Sequence, residues 1–156
     1  MQPLQGLRII EFDGLGPVTF AAMMLADLGA EVLRLTRSES AAPAVFDQVG
    51  GAVLHRGRDI VPVDLKDPAD KAAVLALIEG ADAVVEGFRP GVMERLGLGP
   101  EVLQASNPAL VFGRVTGWGQ TGPLAQSVGH DLNYIGLTGV LHAMGDADRP
   151  PTPPLN

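Results

Sequence analysis

Cysteine is absent from all 156 residues, which excludes a disulfide framework, a thiolate zinc site and a cysteine nucleophile together. Aromatic residues amount to 4%, with one tryptophan, Trp118, and one tyrosine, Tyr134. The core must therefore be built from Ala, Val, Leu, Ile and Met, a set suited to close packing of helices on a sheet. Three histidines, His55, His130 and His142, occur without an HxxxH-type pair, so their spacing offers no metal site. No basic segment followed by an apolar stretch opens the chain, so no secretory leader is expected. The longest apolar run, Phe20 to Ala26, falls far short of the roughly 20 residues a bilayer-spanning helix needs. Walker-type phosphate loops and the GxSxG nucleophile elbow are missing, which removes support for ATPase, kinase and serine-hydrolase chemistry. Positive charge is scarce, with 11 Lys and Arg against 18 Asp and Glu and a net charge of −7. That balance disfavours a nucleic-acid or anionic-membrane partner, and a cytoplasmic location is expected.

What remains is a globular composition, 46% hydrophobic and 19% charged, of one domain's length. Leu7 to Phe12 reads as a strand, Thr19 to Leu28 as a helix stopped by Gly29, and Glu31 to Thr36 as a second strand. This is a βαβ unit with a right-handed crossover. Residues 38–57 lack periodicity and read as an irregular loop with a helical turn. Ile60 to Leu65 is a third strand, and Pro62 marks it as an edge or a strand end. Asp67 and Pro68 open a helix running through Ala81. Ala83 to Phe88 is a fourth strand. Pro90 to Leu96 and Pro100 to Ser106 are short helices split by Gly97-Leu98-Gly99. Leu110 to Val115 is the fifth strand, and a helix is expected over 130–143. Alternation of this kind implies an open, doubly wound, Rossmann-like α/β fold with a mostly parallel sheet.

In such sheets ligands bind at the carboxyl ends of the strands. Arg37 leaves the second strand there, and Gly87-Phe88-Arg89-Pro90 leaves the fourth, where an arginine fork can grip phosphate. Arg34 alternates with Leu33 and Leu35, so a solvated face is expected for it. Each arginine alone is more simply a surface charge; their recurrence at successive strand ends favours a ligand. The glycines Gly14 and Gly16 fit a tight turn better than a dinucleotide loop, since Pro17 removes a backbone donor.

The densest signal is Gly113-Arg-Val-Thr-Gly-Trp-Gly-Gln-Thr-Gly-Pro123 followed by Gly129-His-Asp-Leu-Asn-Tyr134. His130 falls at the start of a helix, whose dipole disfavours the imidazolium and leaves an imidazole able to accept a proton. Nearby backbone N–H groups could hold an enolate or oxyanion. Asp131 is expected to cap the helix, and His55 and His142 are expected to be structural.

These segments, together with Leu4 to Phe12, Ala26 to Arg34, Val63 to Pro68 and Glu86 to Pro100, resemble the amino-terminal part of the α-methylacyl-CoA racemase family. That family lies within the family III CoA-transferase (CaiB/BaiF) superfamily. The resemblance covers essentially residues 1–156 and implies a CoA-binding large domain. It also implies an acyl-CoA thioester substrate inverted at its α-carbon, with CoA as part of the substrate and no separate cofactor. His130 would be a catalytic base. CoA and substrate would be held by Arg37, Val63, Asp64, Leu65, Lys66, Gly87, Phe88, Arg89 and Arg95. The thioester end would be cradled by Gly129, Asp131, Leu132, Asn133 and Tyr134. The resemblance further implies a second catalytic aspartate after Pro-Pro-Leu-Asn156, a smaller second domain and a homodimer. The chain is therefore expected to be a truncated product, or to need a partner carrying the missing segment. Two alternatives stand beside racemisation: an acyl-CoA:carboxylate CoA-transferase, with the downstream aspartate forming an acyl anhydride, and a non-catalytic CoA-binding fragment.

Overall fold

Along Arg8–Phe12, apolar side chains point alternately to both faces, as a strand covered on each side requires. This strand, β1, is joined by β2 (Glu31–Arg37), β3 (Arg58–Val63), β4 (Ala83–Glu86) and β5 (Val111–Arg114). The computed structural model describes residues 2–37, 51–145 and 148–153, in two units, Met1–Val115 and Thr116–Asn156. In the first unit the strands form one sheet of order β3-β2-β1-β4-β5, with every pairing parallel. The open, doubly wound α/β architecture is thus observed. The order reverses between β1 and β4, which makes their carboxyl ends the switch point of the sheet.

Among the described residues of this unit five helices accompany the strands: α1 (Pro17–Asp27), α2 (Gly51–Leu54), α3 (Pro68–Glu79), α4 (Val92–Leu96) and α5 (Pro100–Ser106). On one face Ile10, Phe12, Leu35 and Val84 pack with Val74 and Ile78 of α3, Met93 of α4, and Leu98 and Leu103. On the other, Ile9 and Val32 pack with Ala22 of α1 and with Ala30. Full burial of each large aliphatic residue contributes about 1.5–3 kcal/mol, so the α3 face, with the larger side chains, carries more of the stability. Asp67 caps α3, its carboxylate accepting the backbone N–H of Ala69 at 2.8 Å and of Asp70 at 3.0 Å.

Several boundaries differ from expectation, each through a side chain that captures backbone. The third strand begins at Arg58 and stops at Val63, because 64–67 form a turn. There the Asp67 N–H donates to the Asp64 carbonyl, and the Asp64 carboxylate takes the Lys66 N–H. The fourth strand stops at Glu86 rather than Phe88, because the Glu86 carboxylate takes the Phe88 N–H at 2.6 Å. Residues 38–50, most of the expected irregular loop, lie outside the described residues; Gly51–Leu54 supplies the helical turn.

Arg34 corrects the sequence reading. It lies on the α1 face, 4% exposed, and its guanidinium donates to Asp13 at 2.5 and 3.0 Å. The alternation that suggested a solvated face was real, but α1 covers that face. A buried arginine needs a carboxylate, and the loop after β1 supplies it.

In the second unit the expected helix over 130–143 is two: α6 (Asp131–Leu137) and α7 (Val140–Ala143). The break falls at Gly139, whose φ of 78° is left-handed. The preceding Thr138 donates both its backbone N–H and its hydroxyl to the Tyr134 carbonyl, each at 3.0 Å, which closes the last turn of α6. Among the described residues no helix is long and apolar enough to cross a membrane.

Candidate functional site

The carboxyl edge of the sheet gathers the sequence-predicted ligand residues of the first unit. Arg37, the last residue of β2, is the register partner of Val63, the last residue of β3. Pairing thus sets Arg37 beside the Val63–Lys66 turn. Val63 and Leu65 pack their side chains against the core, while Asp64 and Lys66 are exposed. The Asp64 N–H donates to Asp70 at 2.7 Å, so both ends of the turn are held by carboxylates.

At the end of β4, Phe88 sets its ring edge-on to Phe12 at 6.3 Å, which anchors the turn and leaves Arg89 exposed beside it. A Cβ on Gly87 would lie 3.1 Å from Val18 Cγ1, so any larger residue there would have to push Val18 of α1 back by a few tenths of an ångström. Arg95 on α4 curls back until its guanidinium lies beside Gly91, just past the same turn. Arg8, Arg34, Arg56, Arg58 and Arg114 are all in ion pairs. Arg37, Lys66, Arg89 and Arg95 make none among the described residues. Lys71 and Arg149 likewise make none among the described residues, but neither was a predicted ligand residue.

In the second unit, His130 is exposed and occupies the cap position of α6 with extended backbone, φ −123° and ψ 170°. Asp131 is therefore the first helical residue and not the cap, which corrects its expected role. The His130 N–H donates to Asn133 Oδ1 at 2.9 Å, and the His130 carbonyl accepts the Asn133 and Tyr134 N–H groups. Tyr134 sets its ring edge-on to Trp118 at 5.0 Å, and the Trp118 indole N–H donates to the Val128 carbonyl. The Tyr134 hydroxyl fits between Gly117 and Gly129, where a Cβ on either would collide with it. The chain's only tryptophan and only tyrosine thus clamp the glycine-rich loop to α6 directly before His130. Leu132 is exposed on the first turn of the same helix.

Two buried charge networks escaped the sequence reading. Glu11 and Arg58 form an ion pair of 2.5 Å with both side chains fully buried, and His55 Nδ1 lies 3.2 Å from Arg58. Burial pushes the Glu11 carboxyl above its ordinary range, against the pull of Arg58. At the switch point Glu86, 3% exposed, lies 3.6 Å from Arg114, which also pairs with Glu94 on α4. Burial raises the Glu86 carboxyl, while the hydrogen bond from Arg114 holds that of Glu94 low. A charged residue flanked by apolar ones in a short inner strand, as in Val84-Val85-Glu86, is the signal that could have pointed to them.

A cleft of about 660 Å³ opens at the opposite, amino-terminal edge, between Arg8, Glu31, Asp59 and Leu77. None of the predicted ligand residues lines it. Among the described residues no group of His, Asp and Glu is placed to hold a metal ion.

A parallel sheet reversing at β1 and β4, with helices packed on both faces, defines a Rossmann-like α/β protein. Comparison with known proteins narrows the class. The chain belongs to CoA-transferase family III, whose pattern matches residues 4–155. It is 42% identical to human alpha-methylacyl-CoA racemase over 98% of this chain and 38% of that protein. It is 35% identical to acetyl-CoA:oxalate CoA-transferase of Acetobacter aceti over 96% of this chain and 40% of that one. Among solved structures, a CaiB/BaiF family protein from Brucella suis superposes with a TM-score of 0.85 at 28% identity, covering 97% of this chain and 43% of that chain. Rv3272 from M. tuberculosis gives 0.83 at 34%, covering 97% and 44%. The chain thus spans about two-fifths of the length of the curated relatives it matches. The family comprises enzymes named as racemases and as CoA-transferases.

Proposed function

We propose that this chain supplies the CoA-binding half and one acid–base group of an α-methylacyl-CoA racemase. Arg37, Lys66, Arg89 and Arg95 meet the phosphates of CoA. His130 takes the α-proton of the thioester, and the resulting enolate is stabilised by neighbouring donors. The observation that carries the reading is His130 itself, an exposed imidazole at the start of α6 on a loop fixed by Tyr134, Trp118 and Asn133. An α-proton is acidic only beside a carbonyl. A general base therefore needs open access and a fixed approach more than a perturbed neighbour. The identity of 42% to a racemase, against 35% to an oxalate CoA-transferase, supports the same direction.

The test is α-proton exchange in deuterated water with a 2-methylacyl-CoA, read by mass spectrometry. Deuterium entry that His130→Ala abolishes supports the proposal. Exchange that survives the substitution removes His130 from the role. A CoA-transferase reading is favoured by the transferase relatives. It predicts the opposite pattern, in which CoA moves to an acceptor carboxylate and the α-hydrogen is untouched.

A further inference from the structure

A carboxylate at the end of an inner strand, shielded from water, is costly unless it has a task. Glu86 is such a group. One oxygen accepts the Phe88 N–H at 2.6 Å, and the other lies 3.6 Å from Arg114 Nε. Glu86 and Arg114 are register partners across β4 and β5. Arg114 extends past Glu86 to Glu94 on α4, and the next residue of that helix is Arg95. One network therefore ties together the end of β4, the end of β5 and the helix that follows. The two exposed cations of this corner, Arg89 and Arg95, sit on the elements so tied. With two carboxylates and one guanidinium, the network carries a net negative charge behind them. That charge offsets the repulsion of holding two cations at one turn.

We propose that Glu86 is a positioning residue for ligand binding. By holding the Phe88 N–H inward and Arg114 in place, it presents Arg89 and Arg95 to an anionic group of the ligand. This rests on the reading of the carboxyl edge as a CoA phosphate site. A purely structural Glu86 would affect affinity only through stability. A positioning Glu86 affects affinity through Arg89, so the two substitutions are not independent.

The experiment is calorimetric titration of the whole chain with coenzyme A, for wild type, Glu86→Leu, Glu86→Gln, Arg89→Ala and the Glu86→Leu/Arg89→Ala double variant, with thermal melting alongside. Leucine fills the volume but removes one partner of the buried Glu86–Arg114 pair and strands the Phe88 N–H, so it lowers the melting temperature. Titrated at a temperature where the variant is still folded, its CoA affinity should nevertheless fall about tenfold, the scale of a lost hydrogen bond to a charged group. Glutamine still accepts the Phe88 N–H and should restore most of the affinity. In the Arg89→Ala background, Glu86→Leu should weaken binding little further. Should Glu86→Leu fail to fold, Glu86→Ala, which also lacks the acceptor for the Phe88 N–H, replaces it in the Arg89 and Arg89→Ala backgrounds, and additive losses there overturn the proposal. Wild-type affinity in a folded Glu86→Leu, or additive losses in the double variant, overturn the positioning role alone. No heat from the wild type at millimolar CoA overturns the phosphate-site reading and this role with it.

Discussion

Gly117→Ala tests the loop that carries His130 by adding a single methyl group. The new Cβ would stand 2.6 Å from the Tyr134 hydroxyl, roughly 0.8 Å inside the 3.4 Å at which ordinary contact begins. Tyr134 has little room to retreat, because its ring lies against Trp118 and Trp118 is held by the Val128 carbonyl. Gly117 has no left-handed φ, so the cost is steric and not conformational. Overpacking of this kind costs about 1–3 kcal/mol. Tyr134→Phe removes the offending oxygen; the next neighbours are then Gly129 Cα at 3.2 Å and the ring carbon at 3.5 Å. Most of the penalty should vanish in that background, giving a coupling of about 1–2 kcal/mol in a double-mutant cycle. Urea unfolding followed by Trp118 fluorescence measures it directly, because Trp118 is the only indole. Gly117→Ala should also slow His130-dependent exchange, with recovery in the double variant. Additivity within about 0.5 kcal/mol would refute the clamp.

Two further substitutions probe the scaffold under the site. Asp67→Ala removes an acceptor for two backbone N–H groups of α3 and should cost about 1 kcal/mol in urea unfolding, with Asp67→Asn restoring most of it. Arg58→Met removes the hydrogen-bonded counter-charge of Glu11 and leaves its register partner Arg34 to offset the buried carboxylate, so it should cost about 3 kcal/mol near neutral pH, the low end for a broken buried pair. Burial already raises the Glu11 carboxyl, and losing Arg58 raises it further. A folded-state acid held above its unfolded value binds extra protons, so stability falls as pH rises through that window. The deficit of Arg58→Met against wild type should therefore shrink as the pH is lowered toward the ordinary carboxylate range. A deficit constant across that range would show that Glu11 is not the strained group.

Architecture was legible because its determinants are local. All five strands and the cap at Asp67 follow from apolar runs and from turn and cap residues, while Pro62 left β3 open as an edge or a strand end and the sheet order makes it the edge. What escaped reading depended on partners distant in sequence. Arg34 looked solvated until α1 covered its face and Asp13 met it from 21 residues away. The split between α6 and α7 rests on the left-handed backbone of Gly139, which a glycine permits but does not dictate. Likewise, the arginines at the strand ends were legible as candidates, but sequence could not separate them from Arg34, Arg58 and Arg114, which spend their charge inside the fold. Only the ion-pair pattern sorts the two sets.

That sorting has a structural logic. The edge strands are weakly covered: Ile60 on β3 is 51% exposed and Val111 on β5 is 65% exposed. Apolar burial alone therefore fixes their register poorly. Each instead sends an arginine inward to a buried carboxylate on a strand flanking the switch point. Arg58 of β3 reaches Glu11 of β1, and Arg114 of β5 reaches Glu86 of β4. An ion pair is directional where hydrophobic contact is not, so a one-residue slip of either edge strand would leave a buried carboxylate without its partner. The Glu86–Arg114 pair also fixes the carboxyl-end turn that bears Arg89, whereas the turn that bears Lys66 is held by Asp64 and Asp70. Charge buried at the switch point is therefore spent on placing the charge that remains exposed beside it.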